Sequence, residues 1–426
     1  MTITCNVSPA SFLVSEGEIH AAIHRQSSLI AAVQRGEAQY SGSLGWLDVK
    51  TQNIEELVRV AKHVQSVAEV MIVIGIGGSN RGAVAAIEVL KRTSTSPTTL
   101  YFAGDTLSPT RLADALEVLK TKSVVLNVIA KDFNTVEPGI TFRMLRSAMQ
   151  AKYGCAYAER IIVTGSEGSG QLHELAQKHG YTYLPFPSDI GGRFSVLSPV
   201  GLFPLAVAGV DIQNLLDGAY TMQQRIRTGQ DENNPAILYA VLRSLMRKKG
   251  IILESLVTFE PDLQHFTRWW IQLFAETEGK TDQVLFPIGF SYSEDLHAVG
   301  QYVQQGPRIL METFLDLHYN LDNLHIEASK EVVDGFAYLD DKPFSLLNKT
   351  VYQAALQAHA HDGVPCIELK SDSALDTESL GGLFYFFLFC AYLSARLLGV
   401  NPFDQEGVEQ YKRNMYAELG KSGYTK

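Results

Sequence analysis

The chain has 426 residues, a length that accommodates two to four domains and a large core. Its composition, 46% hydrophobic and 19% charged, is that of a soluble globular protein. The formal net charge of −10 argues against nucleic acid or an acidic membrane as partner, although local charge can still hold a small anion.

The N-terminus has no basic region followed by an apolar run, so no signal peptide is expected. From residue 69 the pattern alternates between strand and helix. "EVMIVIGIGG" (69–78) reads as a buried strand ending in glycines, and "AVAAIEVLKR" (83–92) as the helix after it. "TTLYFAG" (98–104) precedes the helix "PTRLADALEVLK" (109–120), and "SVVLNVIA" (123–130) leads into another helix. "RIIVTG" (160–165), the helix "GQLHELAQKHG" (170–180) and "YTYLPFP" (181–187) complete the first half. Short apolar strands separated by helices predict βαβ units and a parallel sheet. "NNPAILYAVLRSLMRKKG" (233–250) has Asn before Pro at its start, a basic last turn and a closing glycine, all helix-end signals. The alternation then resumes, with strands expected at 251–259, 283–290, 308–315 and 364–370.

The run "SLGGLFYFFLFCAYLSARLLG" (379–399) lacks charge between Glu378 and Arg396. It is slightly short for a membrane span, and its glycines and tyrosines favour a buried helix. A polar helix is expected from about Gly407. The four cysteines, Cys5, Cys155, Cys366 and Cys390, show no Cys-x-x-Cys spacing and read as reduced thiols of a cytoplasmic protein, without a zinc site. The expected division is an N-terminal arm with helices (1–60), a first α/β domain (61–205), connecting helices (206–250), a second α/β domain (251–375) and C-terminal helices (376–426).

In open parallel sheets, ligands sit beyond the carboxyl ends of the strands, so the turns there carry the candidate chemistry. "GIGGSNRG" (75–82) starts like a dinucleotide fingerprint, but Asn80 stands where its third glycine belongs. It remains either a phosphate-holding turn built on Gly78 and Ser79 or a tight βα turn without a ligand. "SDIGGRFSVLSPVG" (188–201) sets Arg193 beside Gly191 and Gly192, a fixed cation where the backbone can approach a ligand closely. "QLFAETEGK" (272–280) ends a helix-like run, and Glu276 in its last turn would suit a general base, with Glu278 competing equally. "SEDLHAVGQYVQQG" (293–306) carries His297, and "VNPFDQEGVEQYKRNMY" (400–416) carries Gln405 and Lys412. Each of these residues alone is more often structural or solvated than functional.

Together, the five segments resemble the glucose-6-phosphate isomerase family over roughly residues 45–415. "SDIGGRFSVLSPVG" and "VNPFDQEGVEQYK" match both long family signatures, and "VIGIGGSNRGA", "AETEGK" and "DLHAVGQYVQQG" match in the right order. The resemblance implies two sugar-isomerase-type, doubly wound α/β domains with mostly parallel sheets and a homodimer acting on a sugar phosphate, with neither metal nor nucleotide as cofactor. It implies that Glu276 moves a proton between C2 and C1 of the sugar through a cis-enediol. Arg193 would stabilise the enediolate oxygen, His297 would help open the ring from the partner subunit, and Lys412 would contact the ring oxygen or a hydroxyl. Gln405 would lie near the phosphate end, and Ser79 with the Gly78 backbone would contact the phosphate.

One loop departs from the family pattern. The family's second phosphate loop is rich in Ser and Thr around one Lys, and here it reads "AKDFNTVEP" (130–138). Lys131 and Thr135 remain, while Ala130 and Asp132 replace two hydroxyl donors. Each lost charge-assisted bond is worth roughly 1.5–3 kcal/mol. A carboxylate about 5 Å from a phosphate adds roughly 3 kcal/mol of repulsion at an effective dielectric of about 20. An Asn134–Glu137 capping box is expected before Pro138. Besides glucose-6-phosphate isomerisation, two readings stay open: a related isomerase with altered phosphate-end specificity, and a non-catalytic sugar-phosphate-binding regulator. A mere binder needs no base, so Glu276 argues against the second.

Overall fold

A computed structural model describes the chain except residues 1, 50–53, 132–134, 167, 169, 230, 320–323, 329–333 and 425–426. Ten strands are described: β1 (Ile3–Asn6), β2 (Val70–Ile74), β3 (Thr99–Ala103), β4 (Val124–Ala130), β5 (Ile161–Gly165), β6 (Thr182–Pro185), β7 (Leu253–Thr258), β8 (Phe286–Ser291), β9 (Leu310–Asp316) and β10 (Cys366–Ser371). They form two sheets of five, ordered β3-β2-β4-β5-β6 and β1-β10-β9-β7-β8.

Every pairing in the first sheet is parallel. Helices cover both faces of such a sheet, and β2, "VMIVI", is accordingly buried at all five positions. The chain steps from β2 to β3 on one side and then crosses to β4 on the other. The strand order therefore reverses between β2 and β4, and a crevice opens beyond their carboxyl ends. The turn after β2 and the loop after β4 border that crevice.

The second sheet repeats the reversal between β7 and β9, and its pairings from β8 through β7 and β9 to β10 are parallel. Its remaining strand, β1, joins β10 antiparallel, with Ile3 opposite Ser371. The sequence pattern predicts no strand in the 1–60 arm. Four residues are too short for a hydrophobic period, and what makes them a strand is the open edge of β10.

The apolar run at 379–399 forms the helix Thr377–Leu397, whose side chains are buried from Ser379 to Ala395. It is long and apolar enough to cross a membrane, but 89% of that window lies inside the protein. It packs along the helix Ile212–Thr228, backbone against backbone. A Cβ on Gly218 would overlap the Glu378 carbonyl, and one on Gly381 would overlap the Leu215 carbonyl. The paired glycines thus set the depth of this helix crossing.

Candidate active site

Beyond β2, Gly77 takes a left-handed conformation with φ +59, and a Cβ there would come within 2.9 Å of the Gln272 amide nitrogen. A Cβ on Gly78 would overlap the Gly192 carbonyl. Ser195 Oγ donates to the Gly192 carbonyl at 2.7 Å and to that of Gly78 at 3.4 Å. Asn80 explains the missing third glycine, since its buried amide donates to the Gly75 carbonyl at 3.2 Å and closes the turn. The glycines of this turn therefore serve a close approach of three segments: the turn itself, the 188–198 loop and the helix Gln264–Glu278.

Across the crevice, Lys131 Nζ donates to the Ser188 carbonyl at 3.1 Å and lies 5.0 Å from the centre of the Phe186 ring. Burial pulls its pKa below the usual lysine value, with Asp189 opposing. Lys131 thus leans on the loop that carries Arg193. Thr135 is exposed and is the N-cap of the helix Val136–Tyr153, with no side-chain cap bond. This corrects the expected capping box, which placed the cap one residue earlier. Asn134 and Asp132 lie outside the described residues, so the orientation of the Asp132 carboxylate is not part of the described geometry.

Glu276 lies in the last turn of the helix Gln264–Glu278, its side chain 31% exposed. Three donors meet its carboxylate. Gln272, one turn earlier, gives its amide to Oε1 at 2.9 Å. Gln405 gives its amide to Oε2 at 2.6 Å, and Arg193 Nη1 stands 3.4 Å from the same oxygen. The family resemblance implies Gln405 at the phosphate end; the structure puts its amide on the carboxylate. Gln272 is absent from the sequence-based candidates, although its i,i+4 spacing from Glu276 on a predicted helix is a usable signal.

Arg193 is buried, and its remaining donors fix its plane. Nε donates to Thr277 Oγ1 at 3.0 Å, and Nη2 donates to the Asp404 carbonyl at 3.2 Å and also to that of Pro402. Burial lowers its pKa from the usual arginine value, with Glu276 and Asp404 opposing. Lys280 reaches Asp404 Oδ1 at 2.8 Å and also donates to the Asn401 carbonyl, so with the Gln405 bond to Glu276 the 401–405 segment is tied to the same helix end three times.

Glu278 does not compete with Glu276. Its carboxylate is buried and meets Arg243 Nη1 at 2.5 Å. Residues two apart on a helix point to different faces, so one acid looks into the crevice and the other into the core. His297 closes the 3-10 turn Glu294–His297 and is exposed. Lys412, on the helix Glu409–Glu418, pairs with Glu409 at 2.8 Å, which raises its pKa. Among the described residues, no hydrogen bond or ion pair joins His297 or Lys412 to Glu276. Within one chain, the structure brings together Gly78, Arg193, Glu276 and Gln405, sets Lys131 against the Arg193 loop, and leaves His297 and Lys412 apart.

A separate cavity of ≈ 1100 Å³ opens at the β7/β9 reversal of the second sheet, with Glu260, Asp316 and Lys370 in its wall. Burial, with Asp262 adding, pushes the Glu260 carboxyl up to about 7. A carboxyl with a raised native pKa is held neutral by the fold. Its effect on stability becomes unfavourable as pH climbs from about 4.5 to about 7 and stays so above that. Glu260→Gln should therefore raise the melting temperature at pH 8 and leave it nearly unchanged at pH 4.5. Calorimetry at the two pH values checks this.

The geometry offers one carboxylate with a partly open face, a fixed cation beside it and a glycine turn at the sheet reversal that can receive an anion. That is the equipment for moving a proton on a carbon next to a carbonyl. A phosphoglucose isomerase family model matches residues 47–421. The chain is 42% identical over 395 residues to the glucose-6-phosphate isomerase of Bacillus thuringiensis (strain Al Hakam), covering 89% of this chain and 87% of the relative. The glucose-6-phosphate isomerase of Bacillus cereus (strain B4264) matches to the same extent. Among solved structures, a hypothetical protein from Thermus thermophilus superposes with a TM-score of 0.86 at 25% identity, covering 98% of this chain and 100% of that one. A glucose-6-phosphate isomerase from Chlamydia trachomatis superposes with a TM-score of 0.79 at 21% identity, covering 95% and 86%, a likeness of fold.

Proposed function

Because the chain belongs to the phosphoglucose isomerase family, we propose that the Glu276 site carries the family reaction, the interconversion of glucose 6-phosphate and fructose 6-phosphate in glycolysis and gluconeogenesis. The observation that carries this assignment of the site is the Glu276 carboxylate, held by Gln272, Gln405 and Arg193 at the mouth of the β2/β4 crevice.

With the sugar open, Glu276 takes the C2 proton, the C–H electron pair becomes the C1–C2 double bond of a cis-enediolate, and the C1=O π pair moves onto O1. After the proton on the C2 hydroxyl passes to O1, protonated Glu276 returns its proton to C1, the C1–C2 π pair forms the new C–H bond, and the C2 oxygen becomes the ketone. A positioned base contributes typically ~10²–10⁴-fold. Arg193 meets the charge that develops on the enediolate oxygen, and its four fixed bonds mean that little reorganisation is needed when that charge appears. Gln272 and Gln405 keep the carboxylate plane constant. The Gly78 backbone, Ser79, Lys131 and Thr135 face the phosphate, whose binding holds the reacting carbons in place. His297 and Lys412 serve ring opening. His297 does so from the second subunit of a homodimer, a reading supported by its exposure and by its separation from the bonding network of Glu276.

Turnover in D2O tests the proton path. The Glu276 side chain is 31% exposed, so part of the returned hydrogen should come from solvent and appear as deuterium at C1 of fructose 6-phosphate. No solvent deuterium after many turnovers would overturn a path through this carboxylate.

The phosphate end has its own expected result. Lys131→Ala removes a half-buried cation, and a charge-assisted bond is worth roughly 1.5–3 kcal/mol. The KM for glucose 6-phosphate should rise roughly 10- to 100-fold with kcat nearly constant, because uniform binding is lost. Steady-state kinetics checks it.

A further inference from the structure

The last turn of the helix Gln264–Glu278 is an unfavourable place for two carboxylates. It sits at the negative end of the helix dipole, where the final carbonyls lack helical partners. Such a turn frays unless something holds it. Arg193 holds it on the crevice side, through Glu276 and Thr277. The core side is held by a second arginine.

Arg243 projects from the helix Pro235–Lys248 and is fully buried. It grips the Glu276 helix at two points one turn apart. Its guanidinium carbon lies 4.2 Å from the centre of the Phe274 ring, and Nη1 meets Glu278 at 2.5 Å. Nη1 also donates to Ser394 Oγ on the core helix at 2.8 Å. Nε pairs at 2.5 Å with Glu254 of β7, whose other oxygen accepts from Tyr239 at 2.6 Å and from Thr313 of β9 at 2.8 Å. The helix end is thereby anchored through one guanidinium to the second sheet and to the core helix. Glu276, Thr277 and Glu278 are consecutive, and each is bound by one of the two arginines.

We propose that Arg243 and Glu278 are positioning residues for the isomerase reaction: their buried ion pair fixes the last helical turn so that Glu276 meets the substrate carbon. The proposal rests on the assignment of Glu276 as base. Such a buried cluster is an uncertain source of stability, because desolvation offsets the attraction; removing Arg243 with Glu278 also leaves Glu254 buried without its cation. Positioning is a different matter, since a displacement of about 1 Å at a reacting group can cost about 100-fold in rate.

The experiment compares the unaltered full-length protein with the double variant Arg243→Met/Glu278→Met and the near-isosteric Glu278→Gln, measuring melting temperature, kcat and KM. Positioning predicts that Glu278→Gln folds, that KM stays within about threefold, and that kcat falls about 10- to 100-fold in the folded double variant and less in Glu278→Gln. A folded double variant with unaltered kcat overturns the proposal. If the double variant fails to fold, unaltered kcat in Glu278→Gln overturns it. Failure of the underlying assignment looks different: Glu276→Gln would then keep full turnover. Inactive Glu276→Gln beside fully active Arg243 and Glu278 variants would sink the positioning role alone.

Discussion

Mixed under conditions that let subunits exchange, the inactive Glu276→Gln and His297→Ala proteins should regain about a quarter of the unaltered activity. In a two-fold dimer whose sites each combine Glu276 of one subunit with His297 of the other, a mixed dimer holds one doubly damaged site and one intact site. Random exchange makes about half of the dimers mixed, and one of their two sites works, which gives about a quarter. If both residues came from the same chain, every site would carry one lesion and mixing would restore nothing. The design depends on two structural facts. Glu276 sits in a network closed within one chain, bound by Gln272, Gln405 and Arg193. His297 is exposed on a 3-10 turn after β8 and belongs to no such network among the described residues. Activity of the mixture against incubation time, with the separate variants as controls, is the measurement.

Glu276→Gln alone should lower kcat by about 10²–10⁴-fold, the usual contribution of a positioned base, and change KM little. The amide matches the carboxylate in volume but cannot accept the C2 proton. It also cannot accept from Gln272 and Gln405 at both ends, because one of its ends is now a donor. The folded state should survive, since the position is partly exposed and Arg193 keeps its bonds to Thr277, Pro402 and Asp404. Glu278→Ala makes an instructive contrast. Losing that carboxylate leaves Arg243 buried with one partner fewer, a change expected to cost about 3–5 kcal/mol of stability. Loss of the first acid should thus leave the fold intact and strike catalysis alone, whereas loss of the second should lower stability as well as rate. Coupled assay of fructose 6-phosphate formation and thermal denaturation separate the two.

Much of the first sheet is legible in the sequence because its strands are continuous apolar runs closed by turn residues, and β2 and β4 need no distant partner to be recognised. β1 is not legible, because only the edge of β10 makes "ITCN" a strand. Arg193 and Glu276 stand out as suitable groups in turns and helix ends, with the family resemblance joining them. What binds them is invisible in the sequence: the Pro402 and Asp404 carbonyls that accept from Arg193 are more than 200 residues away. Spacing cannot choose between Glu276 and Glu278, since burial is decided by what packs on each face. The contact of Gln405 with the carboxylate is invisible for a similar reason, because only the fold sets its amide against Glu276.

The pairing of β1 with β10 ties residues 3–6 to residues 368–371. Synthesis delivers these segments far apart in time. All five strands of the first sheet have been made by residue 185, so that sheet can form early from near neighbours. The other sheet cannot be finished until residues 3–6 meet residues 368–371, across a loop of more than 360 residues whose closure entropy grows only logarithmically with length. Until that meeting, β10 presents an open edge able to pair with any extended segment nearby. Synthesis in chain order therefore supplies all the pairings of the first sheet well before β1 can meet its partner, so the seam between β1 and β10 is among the last pairings to become possible.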